Sequence, residues 1–518
     1  MVSVCGTCLH DHRLFECQQF PVHLFPVLTM KKFLIRILMA AALLFVLNWI
    51  YTKWFFKKDV AEHSDILELV WQVTEDSCRI VYLGESSNNT CGVQETDKRK
   101  ISAYLGEYFP EVKTGDMTKA ASHAQTYYYL LKNIPKKSTV ETVVVTMNLR
   151  SFDARWIYSN LETPLRKQLV LMEKYPPLMN RFLLALKAYP IRSEAELDSL
   201  TRQHWREDPL VFPYDFEWDN VFQWDSATAW QGRNNYEGQY DPKWTEMVCH
   251  YIKSYGFFLT DDNPRLKDFD DIVALSRKRG WHLVFNLMAE NVDKANCLVG
   301  KDLMYLMKHN HDYLMNRYGH LEGVTVVDNL NLVRDVNFID QDWTTEHYYE
   351  EGRRIIAKNV AEALKAYYPD EYREIDLKCD EGHYYFGDDE CQLDAATPYG
   401  PTLTLSADSL QEDWERVNVA FMMRQTDTLH KTQLIVSLLV AQDNAINACY
   451  DVKPQIQKIG AWDFATFDLP VDSTMRAAQQ VRIFVQNPSE NAVQLKCMDI
   501  SFRPAYLTPG IKGQSITR

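Results

Sequence analysis

Ile80-Val81-Tyr82-Leu83-Gly84-Glu85-Ser86-Ser87-Asn88 is the stretch on which the fold turns. Four apolar residues read as a short buried strand, and Gly-Glu-Ser-Ser-Asn as the turn that ends it. Three further apolar runs stop in the same way: Val143-Val144-Val145 before Thr146, His282-Leu283-Val284-Phe285 before Asn286, and Val324-Thr325-Val326-Val327 before Asp328. Amphipathic segments lie between them, and Ile356, Val360, Ala363, Leu364 and Tyr367 make a stripe of helical period. Buried strands alternating with helices predict an α/β domain, a parallel sheet with helices on both faces, over residues 65–370. Ligands of such sheets bind in the crevice at the carboxyl ends of the strands, where the Gly84–Asn88 turn would lie.

Working outward toward the N-terminus, Phe33–Tyr51 reads FLIRILMAAALLFVLNWIY, apolar except for Arg36 and Asn48. That length suits one crossing of a ~30 Å hydrocarbon core. Lys31 and Lys32 ahead of it favour an N-in orientation, although Lys53, Lys57 and Lys58 follow it; Trp49, Tyr51 and Trp54 suit the far interface. No small-x-small cleavage site follows, so residues 30–58 are expected to be an uncleaved, single-pass anchor in the inner membrane, with the rest of the chain on the periplasmic or extracytoplasmic side. Residues 1–29 read as a leader or a disordered tail, with Met30 a natural start. Cys5, Cys8, His10, His12 and Cys17 imitate a zinc site there without a folded context. Beyond the anchor lie eight cysteines, an even number compatible with disulfides in an oxidising compartment. Cys379 with Cys391 is the pair to test, and buried thiols are the alternative.

Toward the C-terminus the texture changes near Pro369. Thr402–Ser406, Val417–Met423, Gln433–Val440, Phe464–Leu469, Val481–Gln486 and Val493–Phe502 are β-type runs separated by turns, several alternating in period two. They predict an all-β sandwich of jelly-roll size over residues 398–510, joined through residues 371–397. Within the α/β region, an insertion near residues 209–260 carries Phe212, Tyr214, Phe216, Trp218, Phe222, Trp224, Trp230, Tyr236, Tyr240 and Trp244. It either lines a sugar or acyl site or packs as a local mini-core.

The net charge of −14 and the lack of a basic block argue against nucleic acid as a partner. There is no GxxxxGK phosphate loop and no HExxH helix, and His309 and His311 stand two apart on a predicted helix, poorly placed to share a metal. No cofactor or metal is expected. Asn88-x-Thr90 fits a glycosylation sequon, but the same asparagine is a candidate to line the pocket, and the sequon is discounted for that reason.

What remains in order along the chain is a set of residues suited to nucleophilic catalysis. Ser86 sits on the turn after the first strand, with Ser87 as a competing hydroxyl. Gly115, in Val112-Lys113-Thr114-Gly115-Asp116, offers an unobstructed N–H or serves a turn of positive φ. Asn148 follows the Val143–Val145 strand and offers an amide donor or caps a loop. The N–H of Ser86, Gly115 and Asn148 together would form an oxyanion hole. His347, ahead of a helix, would take the serine proton. Glu85, Asn88 and Asn291, the last in a strand-top segment with Glu290 and Asp293, are the substrate-binding candidates.

This order resembles the SGNH (GDSL-type) hydrolase family. Gly84-Glu85-Ser86 matches the nucleophile block, Thr114-Gly115-Asp116 the glycine block, Asn148 the asparagine block, and His347 with Gly352-Arg353-Arg354-Ile355-Ile356-Ala357 the histidine block. The resemblance spans residues 78–367 and implies a flavodoxin-like three-layer fold and serine acyl transfer. Four positions depart from the pattern: Glu85 stands for aspartate, Thr146 for glycine, Leu149 for aspartate, and Thr344 occupies the place of the acid that should precede His347 by three. Asp342 is the favoured replacement, ahead of Asp340 and Glu346. The C-terminal part loosely resembles carbohydrate-binding jelly rolls, through Trp462-Asp463-Phe464, Phe467-Asp468 and Val481–Asn487. The resemblances imply an anchored esterase or O-acyltransferase acting on acylated polysaccharide, the transfer reading adding a membrane-bound O-acyltransferase as partner. The alternative is a non-catalytic glycan- or partner-binding protein on a degenerate scaffold.

Overall fold

The computed structural model describes residues 27–93, 95–234, 240–375, 382–387, 389–412, 414–441, 444–456, 459–503 and 515–517. Cys379, Tyr236 and the cysteines and histidines ahead of residue 27 lie outside the described residues.

Five strands, β1 (Ile80–Gly84), β2 (Thr114–Thr118), β3 (Thr142–Met147), β4 (His282–Leu287) and β5 (Val324–Asp328), form one parallel sheet in the order β2-β1-β3-β4-β5. That is the doubly wound order of flavodoxin-like sheets, with its reversal between β1 and β3. The sequence rationale is visible in β1, every residue of which is buried. Side chains alternate across a strand. Val81 and Leu83 join the larger core with Tyr127, Leu130, Val143 and Val145. Ile80 and Tyr82 join the opposite one with Tyr104, Leu105, Val360 and Leu364. Two cores on two faces make three layers.

The C-terminal strands form two antiparallel sheets. One runs Trp462–Pro470, Arg416–Gln425, Val493–Arg503 and His383–Tyr385, with Cys391–Leu393 also on Val493–Arg503; the other runs Asn444–Asp451, Gln433–Ala441, Gln480–Gln486 and Tyr399–Ser406. Leu403, Val417, Val419, Leu434, Val436, Ile483 and Val485 fill the space between them. Two strands, His383–Tyr385 and Cys391–Leu393, fall in the stretch read as a junction, too short to show a period. Asn444–Asp451 was also missed, because its alternation is mostly between polar and small residues. Among the described residues Cys78, Cys91, Cys249, Cys391 and Cys449 form no disulfide with one another, and the pairing of Cys391 with Cys379 lies outside the described residues.

Among the described residues one helix, Val27–Trp54, contains a segment long and apolar enough to cross a membrane, Lys31–Trp54, exposed over most of its length, with Tyr51 near its end buried. The aromatic insertion takes the mini-core form. Phe212 and Phe216 lie 4.1 Å apart between ring centres, Trp224 meets Phe216 at 5.0 Å, and Trp218 and Trp244 pack on the main core. Trp230, by contrast, is 91% exposed.

Candidate active site

Glycine at position 84 is what lets the chain turn sharply off β1. A Cβ there would lie 2.8 Å from Asn88 Cβ and 3.0 Å from Thr118 Oγ1. The next residue, Glu85, caps the single helical turn Ser86–Asn89 by accepting the Ser87 N–H at 3.1 Å. Ser86 is thereby held half-buried at the carboxyl end of the sheet, while Ser87 is buried.

His347 reaches the same point from the other end of the domain. Ile339 N–H donates to the His347 carbonyl at 2.9 Å, Phe338 bridges Tyr348, and Tyr349 N–H donates to Asn337. Residues 337–339 and 347–349 are therefore paired antiparallel, and 340–346 close a loop between them. His347 Nε2 lies 3.0 Å from Ser86 Oγ, and His347 Nδ1 lies 2.5 Å from Asp340 Oδ2. The partner acid is Asp340, not the favoured Asp342. The pairing sets Ile339 opposite His347 and so brings the next residue, Asp340, within reach of the imidazole, whereas Asp342 is exposed in the loop. Burial would raise the Asp340 carboxyl, but its hydrogen bond to His347, the His347 charge and the Thr345 hydroxyl hold it below the usual carboxylate range.

Ser86 has one hydroxyl proton and two acceptors in reach, His347 Nε2 and Glu85 Oε2, the latter at 2.8 Å. Glu85 is buried, which opposes its charge. Donors from Ser87, Asn148 and Ser86, together with the nearby His347, nevertheless keep its carboxyl below the ordinary value. Asn148 is beside the nucleophile, yet its Nδ2 donates to Glu85 Oε1 at 3.1 Å, and among the described residues its Oδ1 is buried without a partner.

The other candidates are placed elsewhere. Gly115 is the second residue of β2 and pairs with Val81, about three residues (~10 Å at ~3.3 Å each) short of the strand end where Ser86 lies. It is glycine for packing, since a Cβ would meet Cys78 Sγ at 2.8 Å and Val73 Cγ2 at 2.9 Å. The left-handed residue after β2 is Ala121 (φ 60°), which with Glu85, Ser122, Asn148, Arg150 and Ser151 lines a cavity of about 30 Å³, room for about one water. No glycine marked that turn. Asn88 is fully buried, with its Nδ2 on Ser102, Asp116 and Thr118 and its Oδ1 on the Ser102 N–H, so it braces the turn and is closed to both substrate and glycan attachment. Asn291 caps the helix Val292–Leu298 through Lys294 N–H and donates to Asp335 at 2.6 Å, so both ends of its amide are taken up by these partners.

Sequence reasoning missed a buried cluster behind the site. Arg150 pairs with Glu346 through two hydrogen bonds, Nε at 2.7 Å and a second guanidinium nitrogen, while its own N–H faces Glu290 at 3.4 Å. Tyr255 donates to Glu290 at 2.7 Å. The cluster ties the segment after Asn148 to the residue before His347. Its four members lie on four segments far apart in the chain, so no local pattern announces it. Burial first, and the Glu346 charge second, push the Glu290 carboxyl well above its ordinary value. A folded-state pKa above the unfolded one gives stability that is complete below the unfolded value and is lost as the pH rises through the folded one. Glu290→Gln mimics the neutral acid. Urea unfolding at stepped pH is expected to show the variant gaining on the native chain as the pH rises from about 4 to 8, with no gain at the acid end.

No family model matches the chain, and no curated protein matches it. Among solved structures it is similar to a two-domain esterase (CEX) active on acetylated mannans, at 8% identity over 85% of this chain and 95% of that one, with a TM-score of 0.24. The CBM22-1 xylan-binding domain of Paenibacillus barcinonensis Xyn10C matches at 11% identity over 22% of this chain and 68% of that one, with a TM-score of 0.15. The CBM22-1 and GH10 modules of Clostridium thermocellum xylanase 10B match at 13% identity over 24% of this chain and 27% of theirs, with a TM-score of 0.16. The chain thus spans about a quarter of those xylanase modules. At these TM-scores the chemistry rests on this chain's own residues.

Proposed function

We propose that the chain is a membrane-anchored, SGNH-type serine enzyme that breaks or transfers acyl esters of extracytoplasmic glycans. One observation carries the reading: the run Ser86 Oγ–His347 Nε2 and His347 Nδ1–Asp340 Oδ2, at 3.0 and 2.5 Å, at the carboxyl end of a parallel sheet. With Nδ1–H donated to Asp340, Nε2 is free to accept the Ser86 proton. Ser86 Oγ then attacks the ester carbonyl and the proton moves to Nε2. Collapse of the tetrahedral adduct returns that proton to the departing alkoxide and leaves an acyl-serine. Water or a sugar hydroxyl, deprotonated by His347, takes the acyl group and restores Ser86. The Ser86 N–H is an oxyanion donor, and Asn148 Nδ2 becomes a second when it leaves Glu85 for the developing charge.

The glycan part of the proposal has its support on the sandwich. The outer face of the four-stranded sheet presents Tyr399, 61% exposed and 5.7 Å from Phe484 between ring centres, with Thr402 opposite Phe484 and Arg482 two residues before Phe484 on its strand. An aromatic face with polar neighbours suits a sugar ring. If the reaction is transfer, a membrane-bound O-acyltransferase is the partner that would supply the acyl group. The rival reading, a non-catalytic glycan- or partner-binding protein, is favoured by the Asn148–Glu85 bond, which occupies one oxyanion donor.

A fluorophosphonate probe separates the two. Full-length protein in detergent is expected to label at Ser86, with labelling lost in Ser86→Ala and His347→Ala, both of which still melt cooperatively. A folded native chain that takes no label and turns over no aryl ester would instead be the binding protein.

A further inference from the structure

The N-terminal helix does not leave the protein as a free tether. Its last turns pack on the helix Pro177–Ala185 and are locked there by polar contacts. The Leu178 N–H, one of the donors a helix start leaves unpaired, donates to Asn48 Oδ1 at 2.9 Å. Asp59 accepts from Tyr51 at 2.9 Å and from Arg181 Nε at 2.7 Å. The polar Asn48 in an otherwise apolar run thus has a defined partner in the folded body.

That joint fixes a height. Phe33 to Asn48 is sixteen residues, which at ~1.5 Å each span about 24 Å, less than the ~30 Å of hydrocarbon to be crossed. Arg36, near the start of the run, shortens the apolar length further. The bilayer must therefore continue past Asn48 to the level of Trp49–Trp54, where the Pro177–Ala185 helix is docked. That helix turns Asn180 and Leu184 inward. Its opposite face, with the residue just after it, carries Met179, Phe182 and Leu186, exposed by 46%, 49% and 76%. Their spacing of three and four residues puts them on one side of the helix. Lys174 and Lys187 flank the patch, the arrangement of a helix lying in a membrane interface.

From this we infer that the Pro177–Ala185 helix is a second membrane contact: Met179, Phe182 and Leu186 insert into the outer leaflet beside the anchor and hold the Ser86 domain at a fixed attitude on the lipid surface. The inference rests on the reading of Lys31–Trp54 as a membrane span. A lipid surface is favoured over a protein partner because the patch adjoins a helix that already demands hydrocarbon at the same level.

The test places p-benzoylphenylalanine singly at Leu43, Phe182, Leu186 or Ile446 of the full chain in native membranes, with irradiation and mass spectrometry of the adducts. Lipid adducts at Phe182 and Leu186 close in yield to those at Leu43, and lost at Ile446 on the sandwich, are expected. Lipid adducts at Leu43 with none at Phe182 and Leu186, or protein adducts there, would overturn the second contact and leave the anchor standing. Loss of lipid adducts at Leu43 as well would overturn the anchor and the inference together.

Discussion

Asp340→Asn is expected to lower ester turnover by roughly 10³- to 10⁴-fold, while Asp342→Asn stays within about twofold of the native rate. The carboxylate of Asp340 accepts the Nδ1 proton of His347 and so leaves Nε2 bare for Ser86. An asparagine amide at the same place donates to Nδ1 instead. The imidazole is then held with its proton on Nε2, where it cannot take another from serine. The geometry of the site survives and its proton transfer does not, so melting temperatures should be close to native while turnover and the rate of fluorophosphonate labelling fall together. Asp340→Glu, which keeps the charge, should recover part of the rate. Should Asp342→Asn instead be the crippled variant, the antiparallel pairing of residues 337–339 with 347–349 would not describe the working enzyme.

The second large effect is on stability. Arg353 is fully buried, and its guanidinium meets Glu95 at 3.0 Å, the Tyr348 carbonyl at 2.7 Å, the Asp97 carbonyl at 2.9 Å and the Arg99 carbonyl at 3.0 Å. Glu95 also accepts the N–H of Glu350, at the start of the helix that follows His347. One buried ion pair therefore clamps the chain leaving the nucleophile turn to the helix behind the histidine. Arg353→Met strands the Glu95 carboxylate and three carbonyls in the interior, for an expected loss of about 3–5 kcal/mol. Arg354→Met, whose half-buried guanidinium shares Asp97 and Glu350 with solvent, should lose no more than about 1 kcal/mol. Thermal unfolding of both variants alongside the native chain decides it. Equal melting temperatures for Arg353→Met and the native chain would show that the clamp carries no net stability. In Arg353→Met with Glu95→Gln, the second change should cost less than it does alone, since the stranded charge is gone.

Much of the architecture was open to reading because it depends on local chemistry. A run such as Ile80–Leu83 with no polar alternation has to be covered on both faces, and that requirement alone leads to a parallel sheet between helix layers. The alternating runs after Thr402 require a sheet with one covered face, hence a sandwich. The apolar length of Phe33–Tyr51 is likewise a property of the chain in isolation. Where local alternation is weak, as in Asn444–Asp451 and the three-residue strands at His383 and Cys391, pairing with a neighbour made the strand and no period betrayed it.

The candidate site divides along the same line. Ser86 follows its strand directly, so the sequence alone places it at the top of the sheet, and His347 ahead of its helix is readable by the same reasoning. Gly115 was read as an unobstructed oxyanion N–H or a turn of positive φ, and only its register with Val81 shows it inside a strand, three residues short of the end, small because Cys78 and Val73 press on it. The choice of Asp340 over Asp342, the capture of Asn148 by Glu85 and the Arg150–Glu346 pair all lie between segments far apart in the chain, or across a loop whose closure no local rule dictates. What the sequence by itself determined was the layers, the second domain, the apolar helix and the positions of a serine and a histidine. Tertiary structure alone decided which acid, which amide and which buried charge meet them, because hydrogen bonds act over about 3 Å and depend on how distant segments pack.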